Sequence, residues 1–388
     1  MNACQTYTNP ESLKMSARIR LMKTQDFDYE LPQERIAQRP LPQRDASRLM
    51  VVGRENGRIA HKQFTDFLDY VNSGDVLVVN NSRVLPARLF GRKATGGRVE
   101  ILLLKQLTST CWQVLVGGRK LVEGSQIQLE NQDGTLSQIL AEVTAVLAGS
   151  QREISFSQPL DDVLDELGHT PLPPYIHAPL ADGERYQTIY SRPLGSAAAP
   201  TAGLHFTADL LIELRAKGVI FESCTLHIGL DTFKPVATEN IFDHQIHSEW
   251  ASLSPESARR INEAKLAGGR LLAVGTTAVR TLETAALRSA GISGTLQNIS
   301  QRDAAGETSS MCPWKPVAAF EGSTDLYITP GYKYRAVDAM ITNFHLPQSS
   351  LLMLVSAFIG RERLLDAYAA AVAEKYRFYS FGDAMLII

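Results

Sequence analysis

The chain contains 388 residues, of which 44% are hydrophobic, and this length predicts two or three domains with a sizeable core. Its 39 Lys and Arg residues nearly balance its 41 Asp and Glu residues, which excludes both a generally cationic polypeptide and a disordered acidic protein. The 4 cysteines are widely spaced and form no Cys-x-x-Cys motif, so a disulfide scaffold is excluded and a cytoplasmic location is predicted.

The first part of the chain, residues 1–21, is polar and lacks the apolar core of a secretory signal. We expect a polar N-terminal extension there, with Met22 as an alternative start. The best apolar run, residues 351–359, is much shorter than the roughly 20 residues of a membrane-spanning helix. We therefore expect no association with a membrane.

Charge is distributed unevenly along the chain. Residues 1–120 hold 19 Lys and Arg against 11 Asp and Glu, whereas the remainder holds 20 against 30. This local excess of cations predicts a contact with nucleic acid, although cations also protect strand edges from pairing. Arg83 and Arg88 lie five residues apart on an extended segment, so their side chains point to opposite faces. One of them could grip an anionic group, unless both are surface residues.

Residues 85–158 contain short runs typical of β-strands, separated by glycine-containing turns. Their even spacing predicts a small antiparallel β-barrel. The regions on either side of this segment resemble parts of one α/β domain. We therefore expect the barrel to be inserted into a discontinuous α/β domain formed by residues 22–84 and 159–388. The predicted barrel strands are residues 99–104, 111–116, 126–129, 139–146 and 152–156.

From Thr207 onward, helical and strand-like patterns alternate, which predicts a largely parallel sheet covered by helices. Thr207 and Ser254 are typical N-cap residues. Residues 291–315, rich in Gly, Ser, Thr and Gln, are predicted to form a mobile loop. The predicted strands of this domain are residues 75–80, 219–228, 270–275, 325–328, 339–344 and 384–388, and its predicted helices are residues 207–217, 254–268, 276–289, 349–360 and 361–375.

Three of these strands end in polar residues, at the sheet edge where ligands bind in open α/β folds. The second strand leads into a helix start, whose free N–H groups could hold a carboxylate or a phosphate. A simple helix cap is the more common explanation of such a turn. The residues that follow the three strands are His227; Gly275, Thr276 and Thr277 with Arg280; and Asn343 with His345.

The loop at residues 199–206 combines small residues, which let a flat ligand approach the backbone, with His205. This histidine could act as an acid or a base near neutral pH. The alternative is a tight turn that contains a hydrogen-bonded structural histidine.

Residues 243–250 contain His244, His247 and Glu249, and two histidines with a carboxylate can bind zinc. On a helix, however, these side chains would not share one face. The wall of a polar pocket is the favoured interpretation, and we expect no metal site. A nicotinamide-dependent oxidoreductase is disfavoured because no predicted strand is followed by G-x-G-x-x-G and an acidic residue.

Nine stretches of the chain carry a family resemblance: residues 26–32, 36–40, 44–49, 83–91, 199–206, 247–250, 274–283, 341–348 and 381–387. Through these stretches the chain, from Met22 onward, resembles the S-adenosylmethionine:tRNA ribosyltransferase-isomerases of queuosine biosynthesis. So many matches in the same order exclude chance. The sequence departs from the family pattern at residues 81–82, Asp231 and Ile246.

The resemblance implies an α/β plus β-barrel fold and a tRNA-modifying transferase. Such an enzyme transfers and isomerises the ribosyl moiety of S-adenosylmethionine onto 7-aminomethyl-7-deazaguanine in tRNA, forms epoxyqueuosine, and releases adenine and methionine. S-adenosylmethionine is then a co-substrate, no further cofactor is implied, and we expect a monomer whose partners are tRNA and S-adenosylmethionine. A non-catalytic tRNA-binding protein is the alternative.

The reaction requires a base near the sulfonium and a proton donor for the leaving adenine. We expect these groups among His205, His227, His247 and His345, with Glu249 as a partner or base. For binding of S-adenosylmethionine we expect Thr201, Ala202, Gly203, Phe206, Gly275, Thr276, Thr277, Arg280 and Asn343. For binding of tRNA phosphates we expect Arg83, Arg88, Arg92 and Lys93.

Overall fold

The computed structural model describes residues 22–118, 120–229, 235–308 and 312–388. The predicted extension at residues 1–21, Asp231, and part of the predicted loop at residues 291–315 therefore lie outside the described residues. The described chain forms a nine-stranded sheet, a closed six-stranded barrel and a two-stranded sheet. These elements confirm the predicted α/β fold with a small antiparallel barrel.

The strands follow one another along the chain with the barrel strands in the middle. They are β1 (Arg48–Val52), β2 (Ile59–Gln63), β3 (Val76–Asn80), β4 (Arg83–Val84), β5 (Arg88–Lys93), β6 (Arg98–Gln106), β7 (Cys111–Gly117), β8 (Gln126–Glu130), β9 (Leu136–Val146), β10 (Gln151–Phe156), β11 (Leu194–Ser196), β12 (Ile220–Leu226), β13 (Glu249–Leu253), β14 (Leu271–Val274), β15 (Phe320–Thr324), β16 (Ala339–Asn343) and β17 (Ala384–Ile387).

The α-helices belong mainly to the second half of the chain. They are α1 (Leu164–Leu167), α2 (Ala208–Ala216), α3 (Pro255–Leu266), α4 (Thr276–Ser289), α5 (Ile299–Ala304), α6 (Ser350–Ile359) and α7 (Arg361–Ala373). Short 3-10 helices include Thr24–Phe27, Gln33–Arg35, Arg44–Ala46, Phe64–Tyr70, Gly183–Tyr186, Thr201–His205 and Ile241–Asp243.

The large sheet has the strand order β15-β13-β12-β3-β14-β16-β17-β1-β2. Its centre, from β12 through β3 and β14 to β16, is parallel, and β17 pairs in parallel with β1. The remaining pairings, at the two edges and between β16 and β17, are antiparallel. The carboxyl ends of the four central strands therefore meet at one edge of the sheet, which is where the polar residues were predicted to converge.

Local sequence explains why these elements form. β3 and β14 are buried along their whole length, as expected for strands covered by helices on both faces. The helices begin at the predicted caps: the Thr207 hydroxyl accepts a hydrogen bond from the Leu210 N–H, and the Ser254 hydroxyl accepts one from the Ser257 N–H.

The barrel is closed by antiparallel pairing in the order β10-β7-β6-β5-β8-β9. Along β9, inward-facing Ile139, Ala141 and Val143 alternate with exposed residues, so the strand contributes one face to the barrel core. All five predicted strands are present. The sixth, β5, was predicted only as an extended segment because Gly91 and the charged residues around it obscure its alternation.

Two local predictions differ from the structure. Residues 325–328 were predicted to be a strand, but the strand is Phe320–Thr324, which pairs with β13 at the sheet edge. The Asp325 carboxylate instead accepts a hydrogen bond from the Leu296 N–H at 2.9 Å. The segment at residues 291–315, predicted to be a mobile loop, includes helix α5, whose buried Asp303 is ion-paired with Arg335. Within the described residues, no helix has the length and apolar character needed to cross a membrane.

Candidate active-site cleft

A concave pocket opens at the carboxyl edge of the central strands. This is the edge at which ligands bind in open α/β sheets. Among the described residues that line it there is no Asp, Glu, Lys or Arg, and we call it the neutral pocket. Its lining is Tyr175, Ala199, Pro200, Thr201, Ala202, Ile228, Gly275, Thr276, Thr277, Thr342, Asn343, Phe344, His345, Leu346, Ser349, Leu351, Tyr379 and Ser380.

A directed chain of hydrogen bonds forms the polar floor of the neutral pocket. The Thr201 hydroxyl donates to Asn343 Oδ1 at 2.8 Å, and Asn343 Nδ2 lies 3.4 Å from His205 Nε2. Because an amide nitrogen can only donate, His205 Nε2 must accept, which leaves the ring proton on Nδ1. That nitrogen lies 2.8 Å from the Ser47 hydroxyl oxygen.

His205 itself lies behind the floor rather than in the pocket. Its ring is 4% exposed and stacks on Phe64, with ring centroids 4.9 Å apart. Burial lowers the pKa of His205 to about 4, so its imidazole is neutral at physiological pH. These contacts favour the structural alternative for His205, that of a residue which orients its neighbours.

His345 lines the neutral pocket, and hydrogen bonds hold both its ring and its backbone. Its Nε2 lies 2.7 Å from the Thr342 hydroxyl oxygen, and its backbone N–H donates to the Tyr368 hydroxyl at 2.9 Å. The Tyr29 hydroxyl donates a hydrogen bond to the His345 carbonyl oxygen. Burial lowers the pKa of His345 to about 3, so this imidazole is also neutral near pH 7.

The start of helix α4 forms a second wall of the neutral pocket. Gly275, its N-cap, has φ of +87°, and a Cβ there would lie 3.5 Å from the Ala202 Cβ. Glycine is favoured here by this left-handed backbone conformation. The Asn80 amide at the end of β3 donates to the Thr277 hydroxyl at 3.2 Å and so ties the helix start to the sheet edge.

Aromatic rings form a third wall. Tyr175 and Tyr379 have ring centroids 4.7 Å apart, and the Tyr175 and Ser380 hydroxyl oxygens are 2.7 Å apart. Tyr379 has φ of +69°, a conformation that costs about 1 kcal/mol or more for a residue other than glycine. This strained residue presents its ring to the pocket.

A second cavity adjoins the first and has a different character. Leu351 lines both cavities. The segment that follows β12, helix α4 and helix α6 each contribute some residues to one cavity and neighbouring residues to the other. We call it the charged pocket, since several ionisable side chains reach it. Its lining is Lys105, Gly229, Pro235, Ala237, Thr238, His244, Ile246, His247, Ser248, Glu249, Arg280, Leu326, Tyr327, Ile328, Ser350, Leu351 and Leu354.

A buried ion pair organises the charged pocket. Arg280 Nη1 donates to Glu249 Oε2, and Arg280 Nε donates to the Leu326 carbonyl at 3.1 Å. The other oxygen of Glu249 accepts a hydrogen bond from the Gly229 N–H at 2.8 Å. Arg280 Nη2 is buried and has no hydrogen-bond partner among the described residues. This pocket thus offers an unused, charged donor to an anionic ligand.

His247, predicted to be catalytic, lines the charged pocket beside Glu249. His244 lines it as well, and burial followed by repulsion from His247 lowers the pKa of His244. No group of three or more His, Cys, Asp or Glu side chains among the described residues is arranged to hold a metal ion.

Besides His205, three residues predicted for catalysis or for binding of S-adenosylmethionine lie outside both pockets. Phe206 is fully buried and packs edge-on against Phe64 and Phe67, so the structure does not support its predicted contact with S-adenosylmethionine. Gly203 allows close packing instead, because a Cβ there would lie 2.1 Å from the Tyr190 hydroxyl oxygen. His227 stacks on Trp250 with ring centroids 5.1 Å apart.

The predicted tRNA-binding cations lie along β4 and β5, and carboxylates accompany three of them. Arg83 donates to Glu184, and Arg92 Nε donates to Glu130 at 2.7 Å. Arg88 Nε lies 3.3 Å from the nearest Glu100 oxygen. The ammonium of the fourth cation, Lys93, lies 3.5 Å from the Lys120 carbonyl oxygen. Glu130 and Glu184 lie outside residues 1–120, so carboxylates from elsewhere in the chain neutralise part of the cationic excess of that region.

Sequence reasoning missed several residues of the cleft. Tyr29 lies in one of the stretches that carry the family resemblance, but nothing in its position indicated that it would reach His345. Tyr175 and Tyr379 belong to no recognisable ligand motif. Lys105 belongs to no motif in the sequence, and its place in the charged pocket depends on tertiary structure.

Comparison with known proteins gives a consistent result. The protein-family model described as "Queuosine biosynthesis protein" matches residues 24–387. A protein of Desulforamulus reducens named "S-adenosylmethionine:tRNA ribosyltransferase-isomerase" is 48% identical to the chain over 95% of its length and 100% of the relative's. One of Carboxydothermus hydrogenoformans with the same name is 49% identical, with the same coverage of both chains.

Among solved structures, the crystal structure of S-adenosylmethionine tRNA ribosyltransferase from Thermotoga maritima is similar to this one. The two chains are 34% identical, with a TM-score of 0.50, and the match covers 94% of this chain and 100% of the other. The family match spans both the sheet that carries the cleft and the inserted barrel. The chain belongs to the queuosine biosynthesis protein family.

Proposed function

We propose that this chain is an S-adenosylmethionine:tRNA ribosyltransferase-isomerase. It transfers and isomerises the ribosyl moiety of S-adenosylmethionine onto 7-aminomethyl-7-deazaguanine in tRNA, and it releases adenine and methionine. The observation that carries this proposal is the pairing of a neutral pocket with an adjoining charged pocket in a chain whose relatives bear that name over their whole length.

The two pockets match the two ends of S-adenosylmethionine. The adenine lies in the neutral pocket, where Thr201 and Asn343 supply hydrogen bonds and the rings of Tyr175 and Tyr379 supply flat apolar contact. The same aromatic faces stabilise the sulfonium cation without a carboxylate beside it. The methionine carboxylate reaches Arg280 Nη2, which lies one helical turn beyond Thr276 and Thr277.

The protonation states limit which residues exchange protons. Because His205 and His345 are neutral above about pH 4, they donate or accept hydrogen bonds without titrating during turnover. His345 contacts substrate as a neutral imidazole, and His205 acts through Asn343. We assign proton transfer to His247, the predicted catalytic histidine that shares the charged pocket with Arg280. Glu249 orients Arg280.

In the reaction, the C–S bond, the glycosidic bond, one ring C–O bond and one C–H bond next to the sulfonium of S-adenosylmethionine break. The tRNA amine loses one proton as it forms a C–N bond to the ribosyl group, and new C–C and C–O bonds within that group close the epoxycyclopentanediol. Methionine departs as a neutral thioether, and the departing adenine takes up one of the two released protons. The protein holds the ribosyl group at the junction of the two pockets, near Leu351, so that the amine can attack while water is displaced.

The tRNA approaches from the barrel side. Arg83, Arg88, Arg92 and Lys93 remain proposed phosphate contacts, with the first three exchanging their carboxylate partners for phosphates on binding. We propose that the enzyme works as a cytoplasmic monomer with S-adenosylmethionine as co-substrate and no further cofactor.

One assay tests this function directly. The protein is mixed with S-adenosylmethionine and tRNA carrying the 7-aminomethyl-7-deazaguanine base, and adenine release is followed by chromatography. We expect adenine to appear only with the modified tRNA, and unmodified tRNA is the control. Tight tRNA binding without adenine release would favour the non-catalytic tRNA-binding alternative and contradict the proposal.

A further inference from the structure

The charged pocket is completed by a residue from the other domain. Lys105 of barrel strand β6 lines this pocket together with residues of the α/β sheet. Among the described residues that line it, Lys105 is the one that the barrel supplies. The barrel thus contributes a side chain to the cleft itself as well as to the protein surface around it.

A β-bulge places Lys105 there. Val99, Ile101 and Leu103 face the barrel interior, and strict alternation would point the next odd-numbered residue inward as well. The pairing of β6 with β7 slips between Leu103 and Lys105, so that Lys105 pairs with Gln113 on the outer face. The extra residue therefore turns a lysine that would be buried in hydrocarbon outward to the cleft.

The ammonium of Lys105 is available to a ligand. Lys105 is exposed, and its side-chain ammonium makes no hydrogen bond or ion pair with any other described residue. It differs in this respect from Arg83, Arg88 and Arg92, which have carboxylate neighbours. A flexible, fully hydrated cation at the rim of a pocket suits a ligand that arrives from solvent.

We propose that Lys105 binds a phosphodiester of the RNA next to the base that is modified. The proposal rests on the proposed function and assigns to the barrel a substrate-binding residue at the reaction site. The buried Arg280 suits the small carboxylate of methionine, whereas the exposed Lys105 suits a backbone phosphate that remains at the mouth of the cleft. The methionine carboxylate is the competing anion, and the test separates the two.

The test compares Lys105→Gln and Lys105→Arg with Lys62→Gln, a matched control on the distant edge strand β2. The dissociation constant for tRNA is measured by fluorescence anisotropy at several salt concentrations, and KM for S-adenosylmethionine is measured by adenine release. For Lys105→Gln we expect the tRNA dissociation constant to rise about fivefold and the slope of log K against log salt to fall by about 0.7. Lys105→Arg should restore both.

The outcomes are distinct. A raised KM for S-adenosylmethionine with unchanged tRNA binding would assign Lys105 to the carboxylate and overturn the proposal. Lys105→Gln behaving like Lys62→Gln in both measurements would also overturn it. Since tRNA binding is measured without turnover, a wild-type protein that releases no adenine would contradict the proposed function and leave the test of Lys105 intact.

Discussion

The neutral and charged pockets share helices α4 and α6 but differ in chemistry. Helix α4 gives Thr276 and Thr277 to the neutral pocket and Arg280, one turn further on, to the charged pocket. In the neutral pocket, buried polar groups bond to one another, whereas in the charged pocket a buried arginine retains an unused donor. Residues one helical turn apart on α4 thus supply uncharged hydroxyl groups to one pocket and a charged guanidinium to the other. We therefore expect mutations in the two pockets to reduce activity by different amounts.

The largest expected effect is in the charged pocket. Arg280→Gln removes the unpaired charged donor, and a charge-assisted hydrogen bond contributes about 1.5–3 kcal/mol. We expect kcat/KM for S-adenosylmethionine to fall about a hundredfold at the upper end of that range. Arg259→Gln, which removes an exposed arginine paired with Glu263, is the matched control. A folded Arg280→Gln enzyme with nearly unchanged kcat/KM would contradict the assignment of Arg280 to the carboxylate.

A smaller effect is expected in the neutral pocket. Asn343→Ala removes an uncharged amide group that is hydrogen-bonded to Thr201 and to His205. We expect kcat/KM for S-adenosylmethionine to fall about fivefold, since an uncharged hydrogen bond contributes roughly 1 kcal/mol. Asn131→Ala in a barrel turn serves as the control. If both variants lose activity equally, the floor of the neutral pocket has no specific role.

His205 should contribute less still to catalysis. In His205→Gln the side-chain oxygen can accept from Asn343 and the amide nitrogen can donate to Ser47, so the orientation of the floor is retained. We expect turnover within about threefold of wild type and an unchanged pH–rate profile. A true acid–base group contributes about a hundredfold or more. Loss of that size, together with loss of one limb of the profile, would restore His205 to a catalytic role.

The last prediction concerns stability rather than activity. The pKa of His205 is lowered from 6.5 to about 4, so between these values the unfolded chain binds a proton that the folded chain does not. Stability is therefore lost as the pH falls through this window, at about 1.4 kcal/mol per pH unit from this residue. Urea unfolding of wild type and His205→Gln at pH 7 and pH 5 should show a shallower loss in the variant. Parallel losses would contradict burial of a neutral His205.

Sequence reasoning succeeded where the signal is local. The caps at Thr207 and Ser254 and the uninterrupted apolar run of β3 depend on neighbouring residues, and the structure confirms them. The convergence of Thr277 and Asn343 followed from the rule that parallel strands end at a common edge.

The remaining features depend on contacts between distant parts of the chain. Periodicity could not show that a slipped register turns Lys105 outward, because the bulge is set by pairing with β7. Nor could the cationic stretch reveal that Glu184, about a hundred residues away, pairs with Arg83. His205 has the residue type of a catalytic base, and only its burial against Phe64 shows that it remains neutral.

The position of β17 has a consequence for how the protein is made. This strand, Ala384–Ile387, lies inside the nine-stranded sheet and joins β16 to β1. During synthesis on the ribosome, β1 and β2 cannot join the other strands of the sheet until residues 384–387 have been made. A nascent chain that stops short of residue 384 would keep the apolar side chains of β1 without their partner strand, and such exposed edges invite aggregation and proteolysis.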